Sequence, residues 1–182
     1  MLNSGSADQR SLAARSLGKF TDTAQALGEA LSRENQKGVR EAILVSLAAI
    51  DTPASFDAVM PLLRSGDAEL RSGALDTLKA MSVTGASRLG DLLNDADPDI
   101  RILACELARD MTSNEAQRAL RAAIETDPLV NVCAAAIDAL AEIGSPDDLP
   151  LFERCLKRFP NESFLSFSVS VARTRLASPR AQ

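Results

Sequence analysis

RSLAARSLGKF (residues 10–20), REAILVSLAAI (40–50), RSGALDTLKAM (71–81), RILACELARDM (101–111) and CAAAIDALAEI (133–143) align with one another without a gap. Their first residues, Arg10, Arg40, Arg71, Arg101 and Cys133, follow at spacings of 30, 31, 30 and 32 residues, and a weaker sixth copy is read from Phe164, 31 residues on. Self-similarity at a fixed period of this length is the signature of a repeat array. Counting each copy from its first residue as zero, position 3 holds Ala13, Ile43, Ala74, Ala104, Ala136 and Phe167. Position 7 holds Leu17, Leu47, Leu78, Ala108, Leu140 and Val171, and position 10 holds Phe20, Ile50, Met81, Met111 and Ile143. Positions 3, 7 and 10 fall on one side of a helix of about 3.6 residues per turn, so each copy predicts an amphipathic helix, here called the B helix.

Between the B helices a second apolar series recurs at spacings of three and four, which predicts an A helix. Its members are Ala24, Leu27 and Leu31; Phe56, Val59, Leu62 and Leu63; Leu89, Leu92 and Leu93; Ala116, Leu120, Ala123 and Ile124; and Leu149, Phe152 and Leu156. The punctuation agrees. Thr52-Pro53 and Ser145-Pro146 read as N-caps with proline at the first helical position, and Thr84 and Ser113 read as further caps. Asp97-Pro98 and Asp127-Pro128 mark starts of B helices, Gly66 and Gly144 mark helix ends, and Pro61 is expected to bend or shorten its A helix. The expected order is one B helix and then five A–B pairs, about eleven helices. The chain thus opens in mid-repeat, either because a first A helix is absent or because the sequence is part of a longer protein. SFLSFSVSV from Ser163 alternates with period two, which keeps a strand as the alternative there.

Asp97-Pro98-Asp99-Ile100-Arg101 with Ala104, Asp67 to Arg71 with Ala74, and Gly144-Ser145-Pro146 followed by Leu149, Phe152 and Leu156 resemble HEAT repeats. The likeness is to the short bacterial type also called PBS-lyase HEAT-like repeats, and it covers about residues 8–176. It implies an all-α fold, a right-handed α-solenoid of five to six helical hairpins in which each repeat contacts its neighbours, with function on an extended concave surface. The fifth and sixth copies depart from the pattern, with Cys133 and Phe164 where arginine is usual. The expected organisation is one repeat domain over residues 8–176 between disordered ends, 1–7 and 177–182.

Composition narrows the function. The chain has 182 residues, 46% of them hydrophobic, and its aromatics are six Phe with no Trp or Tyr, which suits closely packed helices rather than a β-sandwich. A net charge of −5 speaks against non-specific nucleic-acid binding, which needs clustered cations. No apolar run approaches the roughly 18 residues that span a bilayer, and the N-terminus carries no signal core, so a cytoplasmic protein without a membrane role is expected. Arg far outnumbers Lys and Ala is abundant, which hints at a GC-rich bacterial source. Cys105, Cys133 and Cys155 form no paired motif and read as buried structural thiols in a reducing compartment. Histidine is absent, and no nucleophile elbow, phosphate loop or dinucleotide motif occurs, so neither catalysis, nor a metal, nor a cofactor is expected.

The candidate site is a surface. Positions 5 and 9 point away from the core side and carry, in order, Arg15 and Lys19, Val45 and Ala49, Asp76 and Ala80, Glu106 and Asp110, Asp138 and Glu142, Val169 and Arg173. Asp76, Glu106, Asp110, Asp138 and Glu142 read either as a solvated acidic face or as the binding stripe for a basic partner protein, on the surface that the resemblance makes concave. The like-charged i, i+4 pairs 106/110 and 138/142 are mildly unfavourable, which motivates the second reading without displacing the first. The recurring Arg10, Arg40, Arg71 and Arg101 read as structural, pairing with loop aspartates or carbonyls, rather than as an anion ladder. The leading expectation is a non-catalytic scaffold or adaptor. The alternatives are a bilin lyase of HEAT-like fold, or a structural subunit forming a homodimer through the Phe-rich C-terminal end (Phe159, Phe164, Phe167). A HEAT-like DNA glycosylase is disfavoured by the acidic face and the lack of Trp and Tyr.

Overall fold

The computed structural model describes residues 2, 4–111 and 113–177. Of the ends expected to be disordered, 1–7 and 177–182, residues 1, 3 and 178–182 lie outside the described residues, whereas Ser6 caps the first helix, Ala7 begins it and Ala177 ends the last helix. Eleven α-helices follow one another and no strand occurs among the described residues: α1 (Ala7–Leu17), α2 (Ala24–Leu31), α3 (Lys37–Ile50), α4 (Pro53–Val59), α5 (Ala68–Ala80), α6 (Ser82–Leu93), α7 (Pro98–Ala108), α8 (Asn114–Thr126), α9 (Val130–Ile143), α10 (Leu149–Arg158) and α11 (Ser163–Ala177). Odd-numbered helices are the B helices, and α2, α4, α6, α8 and α10 are the A helices. Short 3-10 turns lead into α2 and α10. The architecture is all-α, built of helical hairpins of the α-solenoid class. The stretch from Ser163 is helical, which removes the strand alternative.

The chain divides into two compact units, Met1–Gly85 and Ala86–Gln182, with the boundary inside α6. In the first, α3 packs on α1, α2, α4 and α5, and α2 packs on α4. Its core is the one the repeat predicts: Ile43, Leu47, Ile50, Ala74, Leu78 and Met81 from positions 3, 7 and 10, with Leu27, Leu31, Phe56 and Val59 from the A helices. Two glycines mark close approaches. A Cβ on Gly18 would stand 2.7 Å from the Cβ of Ser46, and one on Gly28 would stand 2.7 Å from that of Ala58. The caps are local chemistry. Ser6 and Gln9 form a capping box at α1, and Thr52 and Ser55 form one at α4. Pro61 acts as expected: α4 ends at Val59 and the chain tightens into a 3-10 run, Met60–Arg64.

Thr84 is not the cap that the sequence suggests. It lies inside α6, and the cap comes from the hairpin before. Asp51 ends α3 in the left-handed region (φ 43°, ψ 57°), and its carboxylate accepts from the backbone N–H groups of Val83 (3.3 Å) and Thr84 (3.1 Å). The Thr84 hydroxyl donates in turn to the Asp51 carbonyl at 3.1 Å. One residue thereby closes one helix and opens another, where the first N–H groups have no partner of their own.

In the second unit α9 packs on α7, α8 and α11, and α10 packs on α8 and α11. Ala104, Ala108, Met111, Ala136, Leu140 and Ile143 are buried at positions 3, 7 and 10, together with Leu120, Ile124 and Phe152. Asp97 and Ser113 cap α7 and α8 as expected, and Ser145 with Asp148 forms a capping box. Asp127 does not cap α9, which starts at Val130. Its carboxylate is taken by Leu129 N–H and by Arg101.

The first and sixth copies depart from the repeat. Phe20 is 57% exposed, and Ala14 is the sole buried residue of α1. In α11 the buried residues are Leu165, Val169, Ala172 and Leu176, whereas Phe167 and Val171 are exposed. The sixth copy therefore counts from Glu162, not Phe164. With that shift Leu165, Val169 and Ala172 fall on positions 3, 7 and 10.

Candidate functional site

The recurring arginines are part of the scaffold. Arg10 grips Glu34 with two bonds (2.7 and 3.1 Å) and donates to the Gly5 carbonyl. Arg40 lies 4.0 Å from Asp67, and Arg71 donates to the Ser65 carbonyl at 2.5 Å. Arg101 holds Asp127 in a buried two-pronged pair (2.7 and 3.2 Å) and donates to the Asp95 carbonyl at 2.9 Å. Arg10 and Arg101 share one template, in which the guanidinium turns back to the loop just before its helix and forward to an acid of the next hairpin, whereas Arg40 shows the forward contact and Arg71 the backward one. Every arm of Arg101 is occupied, which fits the structural reading of these arginines rather than an anion ladder.

Cys133 breaks the template, and the structure repairs it. Arg158, at the end of α10, donates to the Ile124 and Glu125 carbonyls, both at 2.6 Å, and to that of Asp127. Its guanidinium also lies 5.0 Å from the ring centre of Phe159. All three cysteines are buried, free thiols. Burial pushes Cys105 up to about 12, which makes it a poor nucleophile at neutral pH.

The acidic residues at positions 5 and 9 stand on two units. Asp76 is exposed on α5 in the first. Glu106, Asp110, Asp138 and Glu142 belong to the second, where α7 and α9 lie side by side. Asp110 is exposed, whereas Glu106 and Asp138 are half-buried. Glu142 is neutralised from both sides, by Arg109 at 3.5 Å and by Arg175 of α11 at 2.6 Å. That ionic bridge across three B helices was hidden in the sequence, because Arg109 and Arg175 lie at positions 8 and 13 of their copies. It also offsets the repulsion within the 138/142 pair.

Asp138 is the unusual member. Burial pushes its carboxyl above the ordinary range, and Glu142 adds to the rise, against the opposing pull of Arg109 and Arg175. In the corrected register, Phe167 and Val171 of α11 stand where the preceding copies have Asp138/Glu142 and Glu106/Asp110. Phe167 is 71% exposed. Val169, expected outside, is buried, and Arg173 pairs with Glu153. The face therefore carries acids on α7 and α9 with Arg109 and Arg175 among them, and exposed apolar side chains on α11.

The family model described as HEAT repeats matches residues 1–79 and again residues 86–163. The chain belongs to the HEAT-repeat family. The two HEAT matches part at residues 80–85, next to the division between the compact units after Gly85. Among solved structures, the crystal structure of an engineered protein, a Northeast Structural Genomics Consortium target, is similar over 96% of this HEAT chain and 93% of its own, with 20% identity and a TM-score of 0.44. Among curated proteins none matches. No helix among the described residues is long and apolar enough to cross a membrane, and no group of three or more His, Cys, Asp or Glu among them is placed to hold a metal ion.

Proposed function

We propose that this HEAT-repeat chain is a non-catalytic protein-interaction module of the cytoplasm, which takes a basic, apolar-tipped segment of a partner protein on the α7–α9–α11 face. The observation that carries the reading is Asp138. It is a half-buried carboxylate whose charge is costly to hold, placed between the acids of α7 and the exposed Phe167 and Val171 of α11. A partner cation over Asp138 would offset that cost, and an apolar side chain beside it would cover Phe167. Charge then sets orientation and encounter rate, while the apolar contact supplies area. A non-catalytic role fits a chain with no histidine and with three buried thiols.

The test is affinity capture from source lysate with three baits: wild type, Asp110→Lys/Asp138→Asn, and Phe167→Ser. Each bait is first shown to keep its helical circular dichroism. A partner retained by wild type and lost from both variants supports the face. Equal retention by all three moves the site elsewhere.

A further inference from the structure

Eight large apolar side chains stand exposed among the described residues, and five of them belong to the two terminal B helices. Leu12 (68%) and Phe20 (57%) are on or just after α1, and Phe164 (41%), Phe167 (71%) and Val171 (37%) are on α11. The side of α1 that is open is one the repeat closes in α3, α7 and α9. Position −1 is exposed Gln9 here but buried Val39, Ile100 and Val132 in α3, α7 and α9. Position 6 is exposed Ser16 here but buried Ser46, Leu107 and Ala139 there. An open groove of about 750 Å³ runs along this side, lined by Leu2, Gln9, Leu12, Ala13, Ser16 and Leu17.

The same helix is basic. Arg15 is exposed on the face of α1 that carries Leu12 and Ser16, at about 100° per residue, and exposed Lys19 follows in the turn after the helix ends at Leu17. Thus α1 and the turn after it display cations flanked by Leu12 and Phe20. The second unit displays a partial complement: Glu106, Asp110 and Asp138, with Arg109 and Arg175 engaged by Glu142 among them, beside Phe164, Phe167 and Val171. Ser166, Ser170 and Arg173 of α11 are exposed too, and they give that helix a polar side next to its apolar one.

We propose that α1 of one copy docks on the α9–α11 face of a second copy, head to tail. Arg15 and Lys19 lie toward Asp110 and Asp138, and Leu12 and Phe20 cover Phe164, Phe167 and Val171. This rests on the reading above that the face binds a basic, apolar-tipped segment, and it names that segment. The two surfaces differ, so the contact is heterologous, and each added copy leaves one surface of each kind open.

Light scattering after size exclusion tests it on the full chain. Wild type should rise above the 19.3 kDa monomer mass as concentration increases, and should fall back as salt is raised. Arg15→Glu/Lys19→Glu spoils one surface and Phe167→Glu spoils the other; all three residues are exposed, so folding is retained. Each variant alone should be monomeric, and an equimolar mixture should give a dimer that grows no further. Three results overturn the proposal: wild type monomeric throughout, a dimer abolished by Phe167→Glu but not by the α1 variant, or a mixture that stays monomeric. If self-association fails while Arg15→Glu/Lys19→Glu still captures a foreign partner through its intact α9–α11 face, self-docking alone is overturned and the wider reading stands.

Discussion

Arg158 and Cys133 donate to one backbone oxygen, the carbonyl of Asp127. The thiol reaches it at 3.5 Å from where the other copies carry arginine. The guanidinium arrives from α10 and satisfies the Ile124 and Glu125 carbonyls as well. Arg158→Ala leaves those carbonyls at the end of α8 without their charged donor. The expected loss is about 1–3 kcal/mol, read as a lower urea midpoint at unchanged m-value. Arg158→Lys should recover part of it, because an ammonium cannot reproduce the planar fork.

The buried pair of Arg101 and Asp127 should behave differently from the surface pairs. Its side chains are 10% and 5% exposed, whereas those of Arg118 and Glu115 are 69% and 65% exposed. Asp127→Ala leaves a buried guanidinium facing only carbonyls, and about 3–5 kcal/mol is the expected cost. Glu115→Ala should cost under about 1 kcal/mol. A double-mutant cycle on Arg101 and Asp127 checks the coupling. Replacing both by apolar residues of similar volume should restore much of the loss.

Acid should unfold the first unit partly through Glu34. The hydrogen bonds from Arg10 and from the Gln36 backbone hold its carboxyl at about 2, below the ordinary 4.5. A group depressed in the folded state adds stability that is fully present above its unfolded value and is lost as pH falls through the folded one. Wild-type stability should therefore decline between about pH 4.5 and pH 2. Glu34→Gln should be less stable than wild type at neutral pH, with a flatter profile over that window. Denaturation midpoints at stepped pH read the difference.

The sequence carried the fold wherever burial and period coincide. Positions 3, 7 and 10 of the four copies from Arg40 to Ile143 are buried without exception. The sixth copy was misaligned because SFLSFSVSV places an apolar residue at nearly every second position, so two registers score alike until packing on α9 selects Leu165, Val169 and Ala172. The position-zero arginines were legible as structural because their recurrence follows the scaffold. Arg158 was not, since it replaces a residue in another helix and leaves no trace in the period. The candidate face was half legible. Its acids lie at repeat positions, whereas Arg109, Arg175 and the Phe167–Val171 row reach it through helix packing and through the shifted register.

Asp138 gives the sharpest test of a residue kept for binding rather than for folding. Its carboxyl is raised in the folded state, chiefly by burial, so the sign is opposite to that of Glu34. The folded chain holds the proton to higher pH than the unfolded chain, and stability falls as pH rises through the ordinary carboxylate range toward the raised value. Above that value the full penalty of the buried charge is in place. Asp138→Asn removes the charge at nearly constant volume. It should be more stable than wild type at neutral pH, with the gain vanishing in acid, where both side chains are uncharged. The same variant should bind a basic partner more weakly, by roughly tenfold if one desolvated ion pair worth about 1.4 kcal/mol is lost. Gain in melting temperature together with loss of affinity marks a carboxylate held at a cost for its partner. Gain in stability with unchanged affinity would leave Asp138 without a binding role.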